Sequence, residues 1–181
     1  MPNTDVAQRL VESIGSEESR HQLFALIYGE LKSRAGKILA AHQNPSLGAT
    51  ALVHEVYLKL VGANIHTCSK EHFFSLASRA MRQIMVDHAR HRLYQKRDQR
   101  LQEALDDEMP HPETGHLPDL VGLDRALDLL SAREPDLAEV VELHFFGGLG
   151  FAEIGELKGC SLSTVERQWR SARALLRNYM S

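Results

Sequence analysis

Near the C-terminal end of the chain, Ser163, Thr164, Arg167, Gln168, Arg170 and Arg173 bring hydroxyl, amide and guanidinium groups together on one helical stretch. Such groups are suited to facing a major groove. Arginine pairs with guanine edges or with phosphate, and the hydroxyls and Gln168 reach either. A second basic run extends from Arg79 to Arg100, with seven Lys or Arg against Asp87 and Asp98. Its Arg79, Arg82, Arg90 and Arg92 can hold nucleic-acid phosphates. Between the two runs, Leu101 to Leu157 carries fourteen Asp or Glu against Arg125 and Arg133. The net charge of -3 conceals this asymmetry. Phosphate binding responds to the local field and not to the average.

Other chemistry is poorly supported. Ten histidines invite a metal reading, but His88 and His91 lie in an arginine-rich stretch that repels cations, and His111 and His116 lie in a linker. No HExxH, paired carboxylate pocket or phosphate-cradling glycine loop is present. The expectation is therefore a chain that is not an enzyme and uses no metal, cofactor or small-molecule substrate. Cys68 and Cys160 are expected to be unpaired thiols. No run approaches the roughly 18 apolar residues of a membrane span, and Met1 to Leu10 lack signal-peptide features. A cytoplasmic protein without a membrane partner is expected.

Helical periodicity positions these groups. Leu23, Ile27, Leu31 and Ala35 form one stripe, and Asn44, Pro45 and Gly48 break it. Leu52, Val56 and Leu60 form a second, and Gly62 to Thr67 reads as a loop. A third runs from Phe73 and Phe74, expected in the core, through Leu76, Ala80 and Ile84 into the basic stretch. Pro110, Pro112, Gly115 and Pro118 then mark a polar, acidic linker. Leu120, Leu123, Leu127 and Leu130 resume the pattern, and Pro135 suits the first turn of a helix. Gly147-Gly148 closes that helix, and a short one spans Phe151 to Leu157. Lys158-Gly159-Cys160 turns, Ser161 or Ser163 caps, and a long helix runs to about Asn178. Gly155, Gly159 and Val165 then supply a small residue at a helix crossing, a glycine turn and a branched anchor, as a helix-turn-helix needs. Trp169 is expected on the inner face. The predicted fold is all-α: a helical bundle over 1–95, a flexible linker over 96–118 and a helix-turn-helix domain over 119–181.

The order of segments resembles a known family. The run from Ala138 to Gly155, then Gly159-Cys160-Ser161 and Ser163-Thr164-Val165, resembles the domain of extracytoplasmic-function sigma factors that reads the −35 promoter element. Leu52 to Leu60 resembles the sigma helix that docks on the polymerase clamp. Phe73 to Arg92, with Arg82, Gln83, Asp87 and Arg90 at the family's offsets, resembles the helix that captures and melts the −10 element. The resemblance covers about residues 20–95 and 119–178. It implies a promoter-specificity subunit whose partners are core RNA polymerase and promoter DNA. By it, Ser163, Thr164, Arg167, Gln168, Arg170 and Arg173 serve the −35 element. Arg79, Arg82, Gln83, Arg90 and Arg92 serve the −10 element, and Leu52, Val53, Glu55 and Val56 meet the clamp.

Two positions depart from the family pattern. Gln83 stands where Asn is usual, and Thr50 and Ala51 stand where two acids usually precede the clamp leucine. A subgroup resembling this chain works with Ser/Thr kinases. Phosphorylation of Thr50 could restore the missing charge, which implies a Ser/Thr protein kinase as partner. Ser46 and Thr67 are weaker candidates because they lie off the contact helix. The alternative is a stand-alone helix-turn-helix regulator with a sensing N-terminal domain, which requires neither the basic helix nor the clamp-like one.

Overall fold

Apolar side chains recur at spacings of three and four along most of the chain, and Leu31 with Ala35, Leu52 with Val56, and Leu127 with Leu130 are turned inward from helices. The computed structural model describes residues 17–41, 47–62, 70–103 and 117–180. The helices are α1 (Glu17–Ala41), α2 (Ala49–Gly62), α3 (Lys70–Glu103), α4 (Leu117–Arg133), α5 (Pro135–Val141), α6 (Phe151–Lys158) and α7 (Leu162–Met180). A π-helical turn, Glu142–Phe146, continues α5. The all-α class is as predicted.

Helix α3 has 34 residues, about 51 Å at 1.5 Å per residue. It runs through 96–103, expected in the linker, because that stretch has neither Gly nor Pro and most of its residues favour helix. Helix α4 likewise begins inside that span, with Pro118 in its first turn. The rest of the linker, 104–116 with His111 and His116, lies outside the described residues, as do Ser46, Thr67 and Cys68.

Helix α1 packs on α2, α2 on α3, and α3 on α4 and the π turn, while α7 crosses α4, α5 and α6. The buried apolar residues of both halves join in one cluster. Leu31, Ala35, Leu52, Val56, Met81 and Met85 come from the first half, and Leu127, Leu143, Phe146, Ile154 and Val165 from the second. Each such Leu, Ile, Val, Met or Phe contributes roughly 1.5–3 kcal/mol on full burial. Phe73 and Phe74 are in this core, packed edge to face.

Gly147 and Gly148 let the second half approach the first. A Cβ on Gly147 would collide with Ser78 Oγ of α3 and the Leu143 carbonyl. Gly148 has φ +65°, and a Cβ there would press on Arg34 and Ile38 of α1. Only glycine fits both demands.

Candidate nucleic-acid interface

Helices α6 and α7 are joined by a turn that local chemistry dictates. Gly150 is extended, and its N–H donates to the Glu153 carboxylate at 2.7 Å, starting α6. Gly159 ends it at φ +62°, in the left-handed region that glycine adopts without strain. Gly155 is buried beneath the turn, where a Cβ would lie 2.9 Å from the Cys160 carbonyl. Ser161 caps α7, its Oγ accepting the Thr164 N–H at 3.2 Å and lying 2.9 Å from the Ser163 and Thr164 hydroxyls.

Along α7, Val165, Ala172 and Leu176 are buried. At 100° per residue the opposite stripe carries Ser163, Arg167, Arg170 and Arg177, all exposed. Arg177, seven residues beyond Arg170, shares this exposed face and adds to the residues expected there from the sequence. Arg173 lies at the edge of the stripe, its guanidinium 6.0 Å from the Trp169 ring. Trp169 is half-buried, 4.8 Å from the His144 ring and 5.6 Å from Phe151. His144 in turn donates from Nδ1 to the Leu149 carbonyl at 2.7 Å. Gln168 does not share the outward stripe. One position beyond Arg167 rotates it towards the interior, and its side-chain oxygen is buried without a hydrogen-bond partner.

The second basic group lies on α3, and there the structure differs from expectation. Arg79, Gln83 and Arg90 are exposed and Arg92 is half-buried, but Arg82 is only 8% exposed. Its Nε donates to Asp124 at 2.8 Å and its Nη1 to Glu142 at 2.8 Å. Nη2 donates to Asp128 and to the Asp124 carbonyl, both at 2.6 Å. Asp124 also accepts from Arg90 at 2.8 Å, and buried Glu142 accepts from Arg79 at 3.1 Å. Burial opposes the charge on Arg82, but hydrogen bonds to Glu142 and Asp128 outweigh it and hold the guanidinium above its ordinary pKa. Arg82 thus faces the acids of the second half, not solvent. An open cleft of about 650 Å³ separates α3 from α4 beside it.

On α2, Leu52, Val53 and Val56 are fully buried, whereas Thr50, Ala51, His54, Glu55, Leu58 and Lys59 are exposed. Of the four residues expected at the clamp, only Glu55 reaches the surface. The other three seat the helix in the core.

These faces meet one comparison with known proteins: the family model for ECF sigma factors matches residues 3–181. The chain belongs to the ECF sigma factor family. Members are transcription initiation factors that direct RNA polymerase to promoters, with core polymerase and promoter DNA as partners and no reaction of their own. The match spans both halves of this sigma factor, which a stand-alone regulator with an unrelated sensing domain does not account for. No curated protein and no solved structure matches it. Among the described residues, no helix of the sigma factor is long and apolar enough to cross a membrane, and no three His, Cys, Asp or Glu gather as a metal site requires.

Further polar ties join the two halves of the sigma factor. Arg34 donates to the Gly148 carbonyl at 2.9 Å and to Glu153 at 2.7 Å. Arg34 holds the Glu153 carboxyl below its usual pKa against the opposing effect of burial. Glu139 accepts from Ser75 at 2.6 Å and pairs with Lys158. Burial would raise its pKa, but those two partners lower it. On α3, burial and then the charge of Arg92 depress the pKa of His88, whose Nδ1 is buried without a partner.

Proposed function

We propose that this sigma factor reads the −35 element with α7, captures the −10 element with α3, docks on the polymerase clamp through α2, and is switched on by phosphorylation of Thr50. The observation that carries the promoter reading is the α7 stripe of Ser163, Arg167, Arg170 and Arg177, opposite a buried Val165, Ala172 and Leu176. This is the side of a helix-turn-helix that enters a major groove. Arg79, Arg82, Gln83, Arg90 and Arg92 serve the −10 element. The two units, 1–95 and 119–181, act as separate readers joined by the intervening segment.

For the clamp, Glu55 acts with its exposed neighbours His54 and Leu58, while Leu52, Val53 and Val56 fix the helix beneath them. Thr50 is exposed at the second position of α2 and is not its cap, since the Leu52 N–H bonds to the Gly48 carbonyl at 2.9 Å. A negative group there is favoured by the helix dipole. Phosphothreonine carries about -1.5 to -2 charges and three acceptor oxygens, enough to replace two absent carboxylates. Each missing charge-assisted contact is on the order of 1.5–3 kcal/mol, so unmodified protein binds core weakly. The partner that follows is a Ser/Thr protein kinase.

The test compares wild type, Thr50→Glu and Thr50→Ala, with and without phosphorylation, for binding to core polymerase and for transcription. Phosphorylated wild type and Thr50→Glu should bind more tightly than the other two. Equal binding by unmodified wild type, Thr50→Ala and phosphorylated protein refutes the switch.

A further inference from the structure

We infer that the free chain locks itself: carboxylates of α4 and the π turn occupy the arginines of α3 in place of DNA phosphate and must leave before −10 DNA can bind. The inference rests on the reading that those arginines serve −10 DNA.

Two carboxylates each bridge two arginines, Asp124 between Arg82 and Arg90, and Glu142 between Arg79 and Arg82. A phosphodiester presents the same chemistry, two oxygens sharing one negative charge. With Asp128 and the Asp124 carbonyl, every guanidinium nitrogen of Arg82 is engaged. Side chains of Arg82, Asp124 and Glu142 are 10%, 13% and 7% exposed, so solvent screens the cluster little. Incoming DNA would meet occupied donors.

Promoter geometry makes the same demand. Elements at −35 and −10 are about 85 Å apart along a duplex at 3.4 Å per base pair. Here α7 packs directly on α4 and α5, and α4 touches Arg82 itself. Both elements cannot be read in this arrangement. The chain between Glu103 and Leu117 can extend about 46–50 Å at 3.3–3.6 Å per residue, so the second unit can leave α3 while still tethered. Polar ties such as Arg34 to Glu153 join the same two halves beside the apolar cluster they share.

The experiment measures binding of full-length, core-free protein to labelled −10 single-stranded and duplex DNA by fluorescence anisotropy. Asp124→Asn/Asp128→Asn/Glu142→Gln should bind about tenfold more tightly than wild type, a 1.4 kcal/mol change. Adding Arg82→Ala should remove the gain. A control, Asp119→Asn/Glu134→Gln/Asp136→Asn, removes three exposed acids outside the cluster and should show no such gain. Where circular dichroism shows the first variant misfolded, Arg34→Ala/Glu153→Gln, which opens the other side of the seam, carries the test with the same sign. Wild-type affinity in a folded opened variant, or an equal gain in the control, overturns the lock. The promoter reading would survive that result as long as Arg82→Ala impairs transcription by holoenzyme. If Arg82→Ala leaves transcription unchanged, the −10 reading falls and the lock falls with it.

Discussion

Replacing Arg167 and Arg170 together with Ala removes two guanidinium groups from the centre of the outward stripe of α7. Both side chains are exposed, and the face that holds the helix, Val165, Ala172 and Leu176, is untouched. Folding stability should therefore change by no more than about 0.5 kcal/mol. A base-directed arginine contributes roughly 1–3 kcal/mol of discrimination, so the pair gives about 2–6 kcal/mol. At 1.4 kcal/mol per tenfold, specific affinity should fall by roughly 30-fold to 20,000-fold. Arginines on phosphate behave differently: affinity drops on every sequence, and the salt slope shrinks by about 0.9 for each phosphate no longer neutralised. Anisotropy titrations of holoenzyme on −35 duplex and scrambled duplex at several salt concentrations separate the two cases. Unchanged promoter binding by the folded double variant refutes the assignment of α7 as the reading helix.

Gly159→Ala should cost about 1–2 kcal/mol in urea denaturation, from left-handed strain alone, because a Cβ there meets nothing within 4 Å. A larger loss would mean the turn is packed in a way the geometry does not show. His88 carries a pH signature. Its folded pKa is depressed, so its contribution is complete above the unfolded value of about 6.5 and is lost as pH falls through the lower folded pKa. Melting temperature should drop between pH 7.5 and 5.5 more in wild type than in His88→Gln, and parallel profiles would contradict this. Limited proteolysis should cut first within 104–116 and leave two helical fragments, whereas a first cut within 52–92 would contradict the two-unit division.

What was legible in the sequence is what local rules control. Gly155, Gly159 and Val165 announced the turn and its anchor because a crossing helix, a left-handed φ and a buried branched side chain each restrict residue type. Pro135 marked the start of α5 for the same reason. The burial of Arg82 was not legible, because Asp124 and Glu142 lie 42 and 60 residues away and nothing local couples them. Gln168 follows Arg167 directly in the chain, yet a single residue turns a helix by 100° and takes it off the outward stripe. On α2 the apolar spacing already marked Leu52 and Val56 as inward-facing, and family resemblance assigned them to the clamp instead. The prolines that mark the linker stand downstream of residues 96–103 and act only where they stand, so helix continues through that stretch.

The most direct measurement is run-off transcription with purified core polymerase and a panel of candidate promoters from the source genome, adding wild type, phosphorylated wild type or Thr50→Glu. The account predicts promoter-specific transcripts that require both core and this chain, strongest with a negative group at position 50, and abolished in Arg167→Ala/Arg170→Ala. Absence of initiation with every form, together with tight binding of the chain alone to duplex DNA, would contradict it.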